Sequence, residues 1–409
     1  MIKTAKPIVL KRLTPDDKIL IALLAPFYSA LINSAIVFML QIETNNPGFV
    51  MFRNISILII GLLFLYALPV VIKRSAVFIS IIVSFVIIFL AVTFLIFPDN
   101  IPFLYREGVL VYALFITLPC FIYAYCVKNI DKFYRYLEVY CATVVVLSFF
   151  ILALMLLFSV GINNDYTMSL GYSAGLASIF YLHKVFEGRQ IKDILFFVIG
   201  FSLIITIGSR GPLLCLAVFI LAYYLTSFIK ETITLGRLIS FILTILCLGF
   251  IIYSLNNQAW LVKFNYLLSD FNINSRTLLL LINDNLGQSS GRDGIYSFLI
   301  RKIKEQPLLG YGLGSDRMMV GMYAHNLFLA LFTFFGVIGG ILSSLTIVSV
   351  LLGALFIVKN WKAQVILLMF FSVYFVSSMV SGDVLTSYGL WILIGMSMSA
   401  ISSKYGMIQ

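Results

Sequence analysis

The chain has 409 residues, 61% apolar and 11% charged, with a mean hydropathy of +1.06. A soluble domain carries about 25% charged residues, so this composition excludes a water-soluble globular protein and describes an all-α polytopic membrane protein. The formal charge of +11 is accounted for by topology and gives no reason to invoke nucleic acid.

The N-terminus is polar and basic for about 18 residues and then enters a full span, so no cleavable leader is expected. Charge-free windows follow in order. They run Ile19–Ile42, Asn54–Ile72, Ser75–Pro98, Gly108–Val127, Val139–Asn164, Tyr166–Leu182, Ile194–Ser209, Gly211–Ile229, Leu238–Val262, Leu327–Val358, Ala363–Gly382 and Val384–Ser403. A crossing needs roughly 17–25 residues, which predicts about 12 transmembrane helices. The window ending at Ser209 is slightly short, and the one from Leu327 is too long for one straight crossing. All five cysteines fall in or at the ends of these windows, which points to neither a disulfide framework nor a thiolate metal site.

Lys and Arg set the orientation. With the N-terminus cytoplasmic, 18 of the 28 basic residues fall inside, among them Lys18, Lys73, Arg74, Lys128, Lys132, Lys184, Lys192, Lys359 and Lys362. Outside, only Arg53, Arg106 and Arg210 lie in short loops. Both termini are expected in the cytoplasm. The layout is a nine-span bundle over 1–255, one large extracytoplasmic loop over 256–324 and a three-span segment over 325–409.

The long loop reads as ordered rather than as a linker. Ile295, Tyr296, Leu299, Ile300 and Ile303 recur at helical spacing, with Ser289 or Ser290 as cap and Pro307 as terminator. The stretch from Trp260 to Ile282 mixes apolar and basic residues, as an interfacial segment does. Next comes Pro307-Leu308-Leu309-Gly310-Tyr311-Gly312-Leu313-Gly314. Glycine at every second position lets backbone approach a ligand or another chain segment. No βαβ unit surrounds the run and no Gly-Lys-Ser/Thr follows it, so it is neither a dinucleotide fingerprint nor a P-loop. From His325 onward, Gly336, Gly339 and Gly340 interrupt the apolar run. This predicts a short outer-face helix to Phe335 and a span from about Gly336 to Val358.

Few residues can carry chemistry. Arg210, in Gly208-Ser209-Arg210-Gly211-Pro212, is held at the outer interface by a hairpin with almost no linker. Charge at that depth marks function by default; the alternatives are snorkelling to headgroup phosphates or ending a helix. Arg292 opens the loop helix, either as a ligand contact or as a solvated residue paired with Asp293. Arg276, Arg301 and Arg317 are further outer candidates. A guanidinium suits diphosphate because its planar fork matches phosphate oxygens.

His325 is one of two histidines. A helix start and nearby arginines would lower its pKa and keep the ring neutral, as a general base requires; a headgroup contact or a packing role are the alternatives. Asn326 is placed to cap the helix. Asp383, between the last two spans, would orient base or acceptor, or is a plain loop aspartate. No acid pair or second outer histidine is present to support divalent-metal catalysis, and no cofactor is indicated.

Taken in order, Ser209-Arg210-Gly211, Ser290-Gly291-Arg292, Gln306 to Gly314, and Ala324-His325-Asn326-Leu327 with Gly336-Val337-Ile338-Gly339 resemble the O-antigen polymerase and ligase superfamily. The polysaccharide polymerases of the Wzy type are the nearest match. The resemblance implies a GT-C-like, metal-independent, inverting glycosyltransferase acting on undecaprenyl-diphosphate-linked glycans as donor and acceptor. By that likeness Arg210 and Arg292 would bind the diphosphate and His325 would activate or position the acceptor hydroxyl, with Asp383 at an acidic position near the final span. The function expected is polymerisation of repeat units into O-antigen, capsule or exopolysaccharide, with a chain-length regulator and a flippase as candidate partners. An O-antigen ligase shares the arginine and His-Asn features. A lipid-linked oligosaccharide transporter is the remaining alternative, disfavoured because charges cluster at interfaces rather than along a midplane path.

Overall fold

A computed structural model describes residues 13–106, 108–158, 168–188, 190–230 and 292–402, with isolated positions 241–242, 262–263, 265–266, 269 and 282. Arg276, the Ser289/Ser290 cap, the interfacial stretch from Trp260 and most of the window Leu238–Val262 lie outside the described residues. Regular structure among the described residues is helical. In chain order the helices are α1 (Pro15–Leu40), α2 (Pro47–Ile96), α3 (Ile101–Arg106), α4 (Val109–Tyr125), α5 (Ile130–Phe158), α6 (Met168–Gly188) and α7 (Ile191–Ile207). They continue with α8 (Arg210–Lys230), α9 (Arg292–Glu305), α10 (Ser315–Val320), α11 (Leu327–Ile357), α12 (Trp361–Val380) and α13 (Tyr388–Ser402).

Among the described residues, six helices are long and apolar enough to cross a bilayer, or seven if α3 and α4, bent by 78°, count as one span. The sequence predicts twelve crossings; the window Leu238–Val262 lies mostly outside the described residues, and three causes account for the rest of the difference. Windows two and three are one 50-residue helix, α2. The helices α7 and α13 are short, at 17 and 15 residues. The interior helix α6 buries polar Ser173, Ser178 and His183 along with its apolar residues, so it is less apolar than a lipid-facing one.

The helix α2 is not one rod. Ser75 leaves helical geometry at φ −153° and ψ 41°. Phe64, before the break, packs on Tyr123 at 4.8 Å, and Phe78, after it, stacks on Tyr125 at 3.7 Å. Fourteen residues of straight helix would separate those rings by about 21 Å, whereas their partners lie about 3 Å apart along α4. The chain therefore turns back at Lys73-Arg74-Ser75. Few of the residues in either arm are buried, as expected of helices facing lipid.

The loops fall at two ends, as the charge pattern predicts. At one end Arg74 bonds Asp16 at 2.8 Å and the Cys126 carbonyl at 2.9 Å, and Lys132 meets Asp17 at 3.0 Å. Lys362 meets Asp131 at 2.8 Å there, and Lys184 meets Glu138 at 2.6 Å and Asp193 at 3.5 Å. Lys362–Asp131 is exposed and stabilises by at most about 1 kcal/mol, whereas the other pairs are partly buried and tie these turns together. Thr14 starts α1 at this end with a capping box to Asp17.

The opposite end is built around the glycine run. The helix α11 breaks at Gly336, with φ 69° and ψ −170°, where the sequence expects a division. The carbonyls left open by the break accept from the run. Tyr311 N–H donates to Thr333 at 2.9 Å and Gly312 N–H to Phe334 at 3.0 Å, while Val337 N–H donates back to Pro307 at 2.6 Å. The alternate glycines therefore admit another chain segment, and irregular backbone is tolerated because protein satisfies it. Asn100 donates to the Tyr311 carbonyl at 2.7 Å, tying in the turn after α2. The helix α9 ends at Glu305, before Pro307 as expected, and buries Leu299, although Ile300 of its predicted apolar face is exposed.

A Cβ at Gly310 would collide with the Gly336 backbone, and one at Gly336 would lie 2.5 Å from the Pro307 carbonyl oxygen. Both glycines have positive φ. Gly310→Ala or Gly336→Ala should therefore lose about 2–5 kcal/mol from overpacking and left-handed strain together. A thermal melt in detergent reads this loss, and an unchanged midpoint would show that the run is not docked in the break.

Candidate functional site

Arg210 is the first residue of α8, separated by two residues from the end of α7 at Ile207. Gly208 closes α7 in the left-handed conformation at φ 73°, and Ser209 is buried. This hairpin sits against the N-terminal turns of α6, with Gly211 against the hydroxyl end of Tyr172. The Tyr172 hydroxyl reaches the Ser381 Oγ at 2.5 Å, so Arg210 stands two links from the turn that follows α12.

That turn gathers three of the predicted residues. The last carbonyls of a helix have no partner within it, and here side chains from elsewhere provide them. Asn326 Nδ2 donates to Met379 O at 3.1 Å and Arg292 to Val380 O, while the His325 ring faces the Ser381 backbone. Arginine also suits the negative end of a helix dipole. Asn326 has a second task, as expected: its Oδ1 accepts from Leu329 N–H at 3.0 Å and caps α11.

His325 precedes that cap in the left-handed conformation, at φ 57°. Its ring lies 4.1 Å from the Tyr323 ring, centroid to centroid, and its Nδ1 is sealed from solvent with no hydrogen-bond partner. Burial first, and then the Arg292 charge, hold the imidazole below its ordinary pKa, against the pull of the Ser381 backbone and Asp383. The ring is therefore neutral at physiological pH.

Arg317 and Asp383 form a second cluster. Both are almost fully buried, and their side chains meet at 2.9 Å. Asp383 also accepts from Thr386 Oγ1 at 2.7 Å and Leu385 N–H at 3.1 Å. On the other side of Arg317, Asp316 accepts from the backbone N–H groups of Arg317 and Ala324, each at 2.9 Å. Asp316 thereby fixes the turn that presents Tyr323 and His325. Burial pushes the Asp316 carboxyl up to about 6, with Arg317 opposing and Asp383 reinforcing the shift.

A cavity of about 270 Å³ opens beside this cluster, lined among others by Tyr172, Tyr323, Tyr374, Tyr388, Ser381 and Asp383. The structure thus brings Arg292, His325 and Asn326 onto one turn and Arg317 and Asp383 into the adjoining wall, with Arg210 next to them through Tyr172. Arg301 lies apart, exposed over Phe298. The sequence reading passed over Asp316, Tyr172, Tyr323 and Ser381. For Asp316 a signal existed, an acid beside an arginine in a loop between spans; serine and tyrosine near span ends give none.

Fold and site together define a polytopic helical membrane protein with a guanidinium and imidazole cluster at one end of its bundle. Residues 195–344 match the O-Antigen ligase family, and this match supports the O-antigen polymerase and ligase superfamily, a group of glycosyl-transferring enzymes. The matched stretch holds Arg210, Arg276, Arg292, Arg317, His325 and Asn326, whereas Asp383 and Tyr172 lie outside it. No curated protein matches the chain.

Proposed function

We propose that the protein is a metal-independent, inverting, GT-C-type polymerase that joins undecaprenyl-diphosphate-linked repeat units at the outer face of the inner membrane. The growing chain is the donor. A hydroxyl on the terminal sugar of a new unit attacks the donor's anomeric carbon and passes its proton to Nε2 of His325, since Nδ1 is sealed. The bond from that carbon to the diphosphate oxygen breaks, and undecaprenyl diphosphate leaves with the electron pair. Arg210 and Arg292 stabilise the charge that develops on the leaving group. A guanidinium carries five N–H donors, so holding the Val380 carbonyl does not exhaust Arg292. The observation that supports this reading best is the meeting of Arg292 and His325 on one turn beside a cavity, within the family-matched stretch.

Purified protein given lipid-linked repeat units should form a glycan ladder. Arg210→Lys should slow extension by about 10²–10³-fold, because a point charge does not reproduce the fork of donors. Full-rate ladders from that variant would remove Arg210 from the diphosphate site. A ligase is the second reading, favoured by the description of the matched family; transfer of glycan to lipid A–core would then replace the ladder. Gene deletion separates the two, since single repeats on core indicate a missing polymerase and bare core a missing ligase.

A further inference from the structure

We propose that the cavity bounded by Tyr172, Tyr323, Tyr374 and Tyr388 is a subsite for an uncharged pyranose, namely the acceptor sugar whose hydroxyl attacks. This inference rests on the transferase reading above and adds which part of the substrate sits where. The argument begins with charge. Among the described residues, Arg317 and Asp383 are the only charged side chains in the lining, and at 2.9 Å they cancel each other, with Asp316 behind the arginine. A wall whose described charges cancel is a poor receptor for a diphosphate. It suits a neutral ligand rich in hydroxyls.

The remaining lining has that chemistry. Tyrosine presents a flat apolar ring with a polar tip, which matches the C–H faces and hydroxyl edges of a pyranose. Serine and threonine hydroxyls between the rings accept and donate alike. Position then selects acceptor over donor. His325 itself stands just outside the lining, but Tyr323 lines the cavity and touches its ring, and Ser381 lines it while its backbone faces that ring. A sugar seated there presents its hydroxyls toward the base. Arg210 and Arg292 lie outside the lining, where the diphosphate would dock. Arg317 is in this view a positioning residue that holds Asp383 in the wall.

The test compares two probes on protein in nanodiscs by calorimetry. One is the free reducing oligosaccharide released by mild acid from the lipid-linked repeat unit; the other is inorganic pyrophosphate. Ser387→Trp and Ser169→Trp fill the cavity from its wall and from its exposed rim, and neither residue belongs to the catalytic cluster. Wild-type protein should bind both probes. Each variant should bind the oligosaccharide at least about tenfold more weakly and keep pyrophosphate within about twofold, with melting points showing that both are folded. Unchanged oligosaccharide binding in the folded variants overturns the subsite, and so does an equal loss of pyrophosphate. Wild-type protein that binds pyrophosphate and no oligosaccharide overturns the subsite alone. Failure to bind either probe, with no ladder formed, overturns the transferase reading itself.

Discussion

Replacing His325 with asparagine should reduce chain extension by about 10²–10⁴-fold, the range spanned by general-base catalysis, while the protein stays folded. Asparagine is the informative choice because residue 325 is left-handed, at φ 57°. Asparagine enters that region readily, whereas alanine would add strain and confuse two effects. The His325 ring also packs against the Tyr323 ring, so its removal carries a stability cost separate from the catalytic one. A melt and a rate therefore separate the roles. A lowered melting point with ladders at near wild-type rate would leave His325 a purely structural clasp.

The pH profile follows from the same ring. A base must be neutral, and His325 is held below the ordinary 6.5 by burial and by Arg292. Activity should thus be flat near neutrality and fall only as pH drops through the depressed pKa. Arg292→Gln removes a nearby positive charge and should move the acid limb upward. An acid limb that stays in place in this variant would separate the two groups.

Arg317→Met should be the most destabilising single change in the site. It leaves Asp383 and Asp316 buried without their cation, and breaking a buried pair by removing one partner costs about 3–5 kcal/mol. Asp316, already pushed up to about 6, would take a proton in response. The double change Arg317→Met with Asp383→Leu removes both charges and should recover much of that loss. The Thr386 and Leu385 bonds to Asp383 set how much remains. Thermal melts of the two variants decide the matter. If the single change melts like wild type, the ion pair does not hold this wall together.

Most of the spans could be read from the sequence because the bilayer imposes one rule, a charge-free stretch of sufficient length. The break at Gly336 was visible for a related reason: the apolar run was too long and glycines divided it. The partner of the Pro307–Gly314 run was not visible. Alternate glycines indicate close approach without saying to what, and the answer, the carbonyls of Thr333 and Phe334, is a tertiary contact. Arg317 shows the same limit. From sequence it was one more outer arginine suited to phosphate, while its neutralising partner lies 66 residues away. The meeting of Asn326, Arg292 and His325 on one turn had no sequence signal, since hydrogen bonds to backbone carbonyls leave no mark at the accepting positions.

The interruption of α11 has a consequence for the site that depends on the lipid. Thirty-one residues in one rod would measure about 46 Å, half as long again as a hydrocarbon core of about 30 Å. The portion after Gly336 measures about 32 Å, close to one membrane thickness, and the portion before it is left over at the surface with His325 at its tip. The second portion then works as a ruler. In a bilayer whose thickness differs from that length the span must tilt or its surroundings must deform, and the imidazole shifts its depth with it.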